Sequence, residues 1–201
     1  FNDPFGAWGQ IRRGNSCGGT DSRAFSQRVP KFLRVHAFGG KQLWGNPVYN
    51  WSVHKKDGYS WWTERIRRSF ELYDAVRIDH FRGFDRYYEI DAGERTAING
   101  TWRRGPKYEL FQAAENALGK LNIIAEDLGS LDKGVYRLMD ETGYPGMKVM
   151  EFAFDGNEDN PYLPKNIKEN SVCYTGTHDN DTLLGYIKKL KKKLQNQLFQ
   201  Q

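Results

Sequence analysis

The chain has 201 residues, enough for one domain with a core of its own and short of the roughly 250 that a closed eight-stranded α/β barrel usually takes. No apolar run approaches the ~20 residues of a membrane span, and no charged start followed by an apolar stretch marks a signal peptide, so the sequence reads as a soluble chain. The formal net charge of +5 belongs to the two ends: Trp44 to Ile187 holds 18 basic against 23 acidic residues, which argues against a nucleic-acid-binding face.

Residues 1–43 differ from the rest. They carry seven Arg or Lys against Asp3 and Asp21 and show neither a helical nor an alternating period, so no fold is assigned to them. Residues 1–41 are read as an atypical arginine-rich segment, 42–187 as the body, and 188–201 as a Lys/Gln-rich tail. The first residue is Phe1, not Met, which implies either a removed leader or a piece of a longer chain. Cys17 and Cys173 lie far apart and match no metal spacing, which fits a reduced, intracellular setting.

From Gln42 to Trp51 the chain is rich in aromatics and turn formers. A helix is predicted over Gly58–Tyr73, with Trp62, Ile66, Phe70 and Tyr73 on one face. A strand follows over Tyr73–Ile78, where Ala75, Val76 and Ile78 run into Asp79, His80 and Arg82. Residues 85–106 read as loop, punctuated by Gly93, Gly100, Gly105 and Pro106. A second helix fits Lys107–Leu118, a second strand Leu121–Ala125, and a third helix Lys133–Thr142, stopped by Gly143 and Pro145. Met147–Phe154 and Ser171–Thr175 read as further strands, and Leu183–Leu190 as the opening of a helix. This alternation is the rhythm of a parallel α/β sheet.

Three of these strands end in acids: Asp79, Glu126 with Asp127, and Asp179 with Asp181. In a parallel barrel the carboxyl ends of the strands share one rim, so the acids would converge there and split their proton affinities. Retaining glycosidic chemistry needs such a pair, one carboxylate to attack the anomeric carbon and one acid to protonate the departing oxygen. Arg77, two residues before Asp79 and therefore on the same strand face, would keep Asp79 ionised, and His178 would donate to a sugar hydroxyl. Blander readings stand beside these. Arg77 and Asp79 alone suit a structural ion pair; Glu126-Asp-Leu-Gly129 suits a strand end followed by a helix cap; His178, Asp179 and Asp181 suit a metal only poorly; and no phosphate-loop spacing is present.

Taken together, Arg77-Ile-Asp-His-Phe-Arg-Gly-Phe84, Ala125-Glu-Asp-Leu-Gly129 and Thr177-His-Asp-Asn-Asp-Thr182 resemble the 4-α-glucanotransferases, the amylomaltase or disproportionating-enzyme family. Leu43-Trp-Gly-Asn-Pro-Val-Tyr-Asn-Trp51 and Tyr144-Pro-Gly-Met-Lys-Val149 look like two further family segments, and the resemblance runs from about Gln42 to Tyr186. It implies part of a (β/α)8 TIM barrel of the α-amylase-like superfamily, about its second half. It also implies retaining transfer of an α-1,4-glucan segment to the 4-OH of an acceptor glucan or glucose. Asp79 matches the nucleophile, Glu126 the general acid and base, and Asp179 the third carboxylate that steadies the transition state. Arg77 and His178 match their partners, and Trp44, Asn46 and His80 fall in segments that line the donor site. The implied partners are maltooligosaccharides, with no metal, organic cofactor, nucleic acid or membrane, in the cytoplasm or in a plant plastid. A retaining α-glucan hydrolase and an inactive glucan-binding fragment are the competing functions.

The chain departs from the family pattern. Members are roughly twice as long or more, and where they carry a Pro-Pro-Asp-type loop this chain has Arg34-Val-His-Ala-Phe-Gly-Gly-Lys41. Residues 1–41 are therefore read as a shifted reading frame or a faulty gene boundary. Half a barrel would leave edge strands near Tyr73–Ile78 and Ser171–Thr175 uncovered, so the chain by itself is expected to be unstable or aggregated, with little activity.

Overall fold

Helix boundaries in this chain follow local capping chemistry. In the computed structural model, which describes residues 33–35 (backbone only), 48–91, 98–129 and 131–190, the Asn50 carboxamide accepts from the Val53 N–H at 3.4 Å and opens α1 (Trp51–Lys56). The Asp132 carboxylate accepts from the N–H groups of Gly134 (2.8 Å) and Val135 (3.3 Å) and opens α4 (Lys133–Thr142). Gly143, at φ +66°, closes α4 in the left-handed conformation that glycine adopts without strain. Thr182 opens α5 (Leu183–Lys189) through its hydroxyl, which accepts from the Gly185 N–H at 3.1 Å. Between these lie α2 (Ser60–Phe70) and α3 (Tyr108–Leu118). No helix among the described residues is long and apolar enough to cross a membrane.

Two parallel strand pairs precede the candidate acids. β2 (Val76–Ile78) pairs with β5 (Ile123–Ala125), with Val76 opposite Ile123 and Ile78 opposite Ala125. β6 (Gly146–Val149) pairs with β7 (Ser171–Tyr174). A separate antiparallel sheet has the order β1 (Leu33–Val35), β3 (Arg86–Asp91), β4 (Gly100–Arg104). Between β2 and β5, therefore, the chain makes a βαβ crossover through α3, with the β3–β4 hairpin inserted before the helix.

The chain divides into two units, Phe1–Tyr144 and Pro145–Gln201. In the first, α3 packs against both α2 and α4. Its core gathers Phe81, Phe84 and Phe111, all fully buried, with ring centroids 5.0 to 5.7 Å apart. Burying each such ring contributes about 1.5–3 kcal/mol. Trp51 and Trp62 stack at 5.8 Å against the same cluster. The second unit has a smaller core of Ala153, Phe154 and Leu163, with Met150, Tyr162, Tyr186 and Leu190 packed on it.

Four sequence expectations are corrected. Residues 85–106, read as loop, contain β3 and β4, because Tyr87 points into the core while Tyr88 and Trp102 pair across the hairpin at 5.4 Å. The helix expected to reach Tyr73 ends at Phe70, where the chain turns and leaves Tyr73 59% exposed; its strand correspondingly begins only at Val76. The strand expected over Met147–Phe154 ends at Val149 and passes into a 3₁₀ turn, Met150–Phe152, that aims Ala153 and Phe154 into the core. α1 was hidden in a stretch read only as turn formers, and β1 in one read as without period.

Candidate active site

Val76 and Ile78 of β2 are buried, so the residues between and beyond them, Arg77 and Asp79, share the other face. Parallel pairing then decides what stands beside Asp79. The Glu126 N–H donates to the Ile78 carbonyl at 2.9 Å, and the Phe81 N–H donates to the Glu126 carbonyl at 3.0 Å. The ladder thus continues one residue past both strand ends, so that Asp79 and Glu126 are register neighbours on strands about 4.8 Å apart. The expected ion pair is formed, with Arg77 Nη2 3.2 Å from Asp79 Oδ1 and both side chains partly shielded.

Glu126 is held quite differently. The backbone N–H of His80 donates to its Oε2 at 2.6 Å, and that of Leu128 to its Oε1 at 2.8 Å. His80 presents its N–H from a left-handed conformation, φ +49° and ψ +51°, uncommon for a side chain with a Cβ and of the kind that concentrates at functional sites. Burial is the main force raising the Glu126 carboxyl above its ordinary range. The neighbouring charge of Asp79 adds to it, while the two N–H groups and Arg77 oppose it. Two adjacent carboxyls are therefore differentiated, one paired with a guanidinium and one desolvated. The His80 imidazole is pulled down to about 4, first by burial and then by the charge of Arg82, so it is neutral at pH 7.

In the second unit, His178 and Asp179 lie beyond β7 on a loop tied by Asn180. The Asn180 carboxamide oxygen accepts from both the N–H and the hydroxyl of Thr177, each at 2.8 Å. The Asp179 N–H donates to the Thr177 hydroxyl at 3.3 Å, and His178 Nε2 is 3.4 Å from Asp179 Oδ2. The Asp179 side chain is 83% exposed. Asp181 turns away to Lys189 Nζ at 2.6 Å. Among the described residues no three His, Cys, Asp or Glu side chains group as metal ligands.

Asp79, Glu126, Arg77 and His80 thus come together within the first unit, and His178 and Asp179 within the second; Trp44 and Asn46 lie outside the described residues. Sequence reasoning missed the backbone donors of His80 and Leu128. No residue type announces an N–H, but the proximity of both to Glu126 follows once the parallel register is known.

The family model described as 4-alpha-glucanotransferase matches residues 38–201. The 4-alpha-glucanotransferase of Streptococcus pneumoniae serotype 4 is 56% identical over 145 residues, covering 72% of this chain and 29% of that protein. The chloroplastic/amyloplastic 4-alpha-glucanotransferase of Solanum tuberosum is 50% identical over 145 residues, covering 72% of this chain and 25% of that protein. The chain therefore spans less than a third of the length of the curated relatives it matches. Among solved structures, the amylomaltase from Streptococcus agalactiae in complex with acarbose superposes with a TM-score of 0.76 at 42% identity, over 84% of this chain and 34% of that one. The described residues form a partial α/β fold with amylomaltases as structural neighbours, and the chain belongs to the 4-alpha-glucanotransferase family.

Proposed function

We propose that the chain carries the catalytic strand ends of a retaining 4-α-glucanotransferase acting on α-1,4-glucans. The observation that carries this reading is the pair of register neighbours Asp79 and Glu126, one beside Arg77 and one desolvated with a raised carboxyl. In the first step a carboxylate oxygen of Asp79 attacks C1 of the donor glucose, the C1–O4 bond breaks, and the Glu126 proton passes to the departing O4. In the second, Glu126, now a carboxylate, takes the proton from the 4-OH of an acceptor glucan. That oxygen attacks C1 and frees Asp79, so one linkage is exchanged for another and no water is consumed.

Asp179 is the third carboxylate in this reading, hydrogen-bonding sugar hydroxyls and steadying the oxocarbenium-like transition state, with His178 as a donor to the same sugar. His80, neutral at pH 7, and Trp44 and Asn46 line the donor side. The parallel pairs β2–β5 and β6–β7 are read as strands of about the second half of a (β/α)8 barrel, which the likeness to the S. agalactiae amylomaltase supports. The chain works without metal or organic cofactor, in a bacterial cytoplasm or a plastid. Residues 1–41 are read as non-native, 42–187 as the catalytic fragment and 188–201 as a tail; translating the coding DNA of the first segment in the other two frames tests this, and absence of a Pro-Pro-Asp segment there counts against it.

The activity is tested with maltotriose. Glucose and chains longer than maltotriose should appear at a low rate while total reducing ends stay constant, and Asp79→Asn should abolish both. Rising reducing ends without longer products would instead make the chain a hydrolase.

A further inference from the structure

The β3–β4 hairpin holds an aromatic pair that the reaction above does not use. Tyr88 and Trp102 are cross-strand partners whose rings meet at 5.4 Å and 63°, on the same face as Arg86 and Arg104. Trp102 is 52% exposed, an unusual state for so large a ring, yet it is braced. The Arg82 guanidinium lies 5.1 Å from the indole centroid and is itself steered by Asp132 at 3.8 Å. Tyr88 is fixed as well: its hydroxyl accepts from the Gly100 N–H at 3.1 Å and donates to the Ile98 carbonyl at 3.3 Å. Both rings are thus held in place from the protein side before any ligand arrives, which lowers the entropy cost of binding.

Position relates the pair to the site. Arg82 follows Asp79 by three residues, in the 3₁₀ turn Phe81–Phe84, and its charge is felt by the His80 ring. We propose that Trp102, backed by Arg82 and flanked by Tyr88, is an outer platform that stacks a glucose unit of an α-1,4-glucan running out of the Asp79–Glu126 site. The occupant is a chain of several glucose units because Arg82, which backs the indole, stands three residues beyond Asp79 in the turn that leaves the strand end. It is a sugar because the C–H face of a pyranose packs on an indole, while the exposed Arg86 and Arg104 on the same hairpin face offer guanidinium N–H groups to its hydroxyls. The inference rests on the glucan reading of the site, and separates from it experimentally.

Binding of maltoheptaose and of maltotriose to the 201-residue chain is measured by calorimetry for wild type, Trp102→Ala, Trp102→Phe and Asp79→Asn, with far-UV circular dichroism confirming the fold of each. Trp102→Ala should weaken maltoheptaose about tenfold, which is about 1.4 kcal/mol, and maltotriose by less than about twofold. Trp102→Phe should recover most of the loss, and Asp79→Asn should keep the preference for the longer sugar. An unchanged maltoheptaose affinity in Trp102→Ala, or no maltoheptaose binding by wild type, overturns the platform. So does an oligothymidine that binds more tightly than maltoheptaose and is lost with Trp102. Trp102-dependent binding without transfer of maltotriose would sink the proposed reaction alone; transfer with Trp102-insensitive binding would sink the platform alone.

Discussion

Gly134→Ala reverses the sign that helix propensity alone assigns to it. Gly134 is the second residue of α4, and exchanging glycine for alanine in a helix contributes up to about 1 kcal/mol of stability. Here a Cβ would lie 2.7 Å from Asp85 Cγ and 2.8 Å from its Oδ1, well inside the ~3.5 Å at which carbon contacts turn favourable. Asp85 has no room to yield, being fully buried. Its N–H donates to the Arg82 carbonyl at 3.0 Å, its carbonyl accepts from Gly105 at 2.8 Å, and Oδ1 lies 2.9 Å from Lys107 Nζ. The Lys107 contact is an ion pair without hydrogen-bond alignment, as is that of Arg86 Nε, 3.6 Å from Oδ2, so the carboxylate relies on those two charges and on the nearby amino end of α4. Relieving the clash by driving the buried carboxylate off its partners costs about 3–5 kcal/mol. After the propensity gain, the net loss is about 2–4 kcal/mol. Urea unfolding followed by far-UV circular dichroism should show the midpoint fall with an unchanged slope. In an Asp85→Ala background the same substitution should lose most of its penalty, because the obstructing carboxylate is gone. A Gly134→Ala chain as stable as wild type would refute the close-approach argument.

Other outcomes follow from the same geometry. Arg77→Met removes a charge-assisted contact worth about 1.5–3 kcal/mol, so transfer from maltotriose should slow roughly 10- to 150-fold, with partial recovery in Arg77→Lys; equal rates would show the pair to be structural. In a carbon-13 titration of the Glu126 carboxyl, Asp79→Asn should lower the midpoint and Arg77→Met raise it, since the first removes a raising charge and the second a lowering one; activity should decline as pH rises through that midpoint and the acid form is lost. The His80 ring resists protonation down to about 4 in the folded chain but takes a proton near 6.5 when unfolded, so its contribution is full above 6.5 and is lost on acidification to about 4. The stability gap between wild type and His80→Gln should therefore change across that window by something on the order of 3 kcal/mol, and a pH-independent gap would contradict the burial of the ring. Phe111→Ala should cost about 3–5 kcal/mol in urea unfolding, because its ring meets Phe81, Phe84 and Tyr144 with no solvent-exposed side to relax into.

Much of the fold was legible because its signals are local. Asp132 and Gly143 bracket α4 over the very residues expected, and Leu110, Phe111 and Ala114 bury the face that their spacing marks out on α3. The hairpin was not legible. Arg86-Tyr-Tyr-Glu-Ile-Asp91 carries charge on both faces and lies between Gly83 and Gly93, and only pairing with Gly100–Arg104 makes it a strand. The end of β6 was overrun for a similar reason. Glu-Phe-Ala-Phe154 is as strand-prone as the residues before it, and the turn at Met150–Phe152 is set by where Phe154 finds its core and by the Glu151 N–H donating to the Thr175 carbonyl at 3.2 Å.

The same division holds at the site. The sequence by itself determined which acids end strands, that Arg77 shares a face with Asp79, and which family carries these segments, because all three depend on residue type and short spacing. Tertiary structure alone decided that Asp79 and Glu126 are register neighbours, 47 positions apart in the chain, and that Glu126 is the desolvated one. Register is a property of two strands and desolvation of everything packed around them, and neither is written in the residues on either side of a carboxylate.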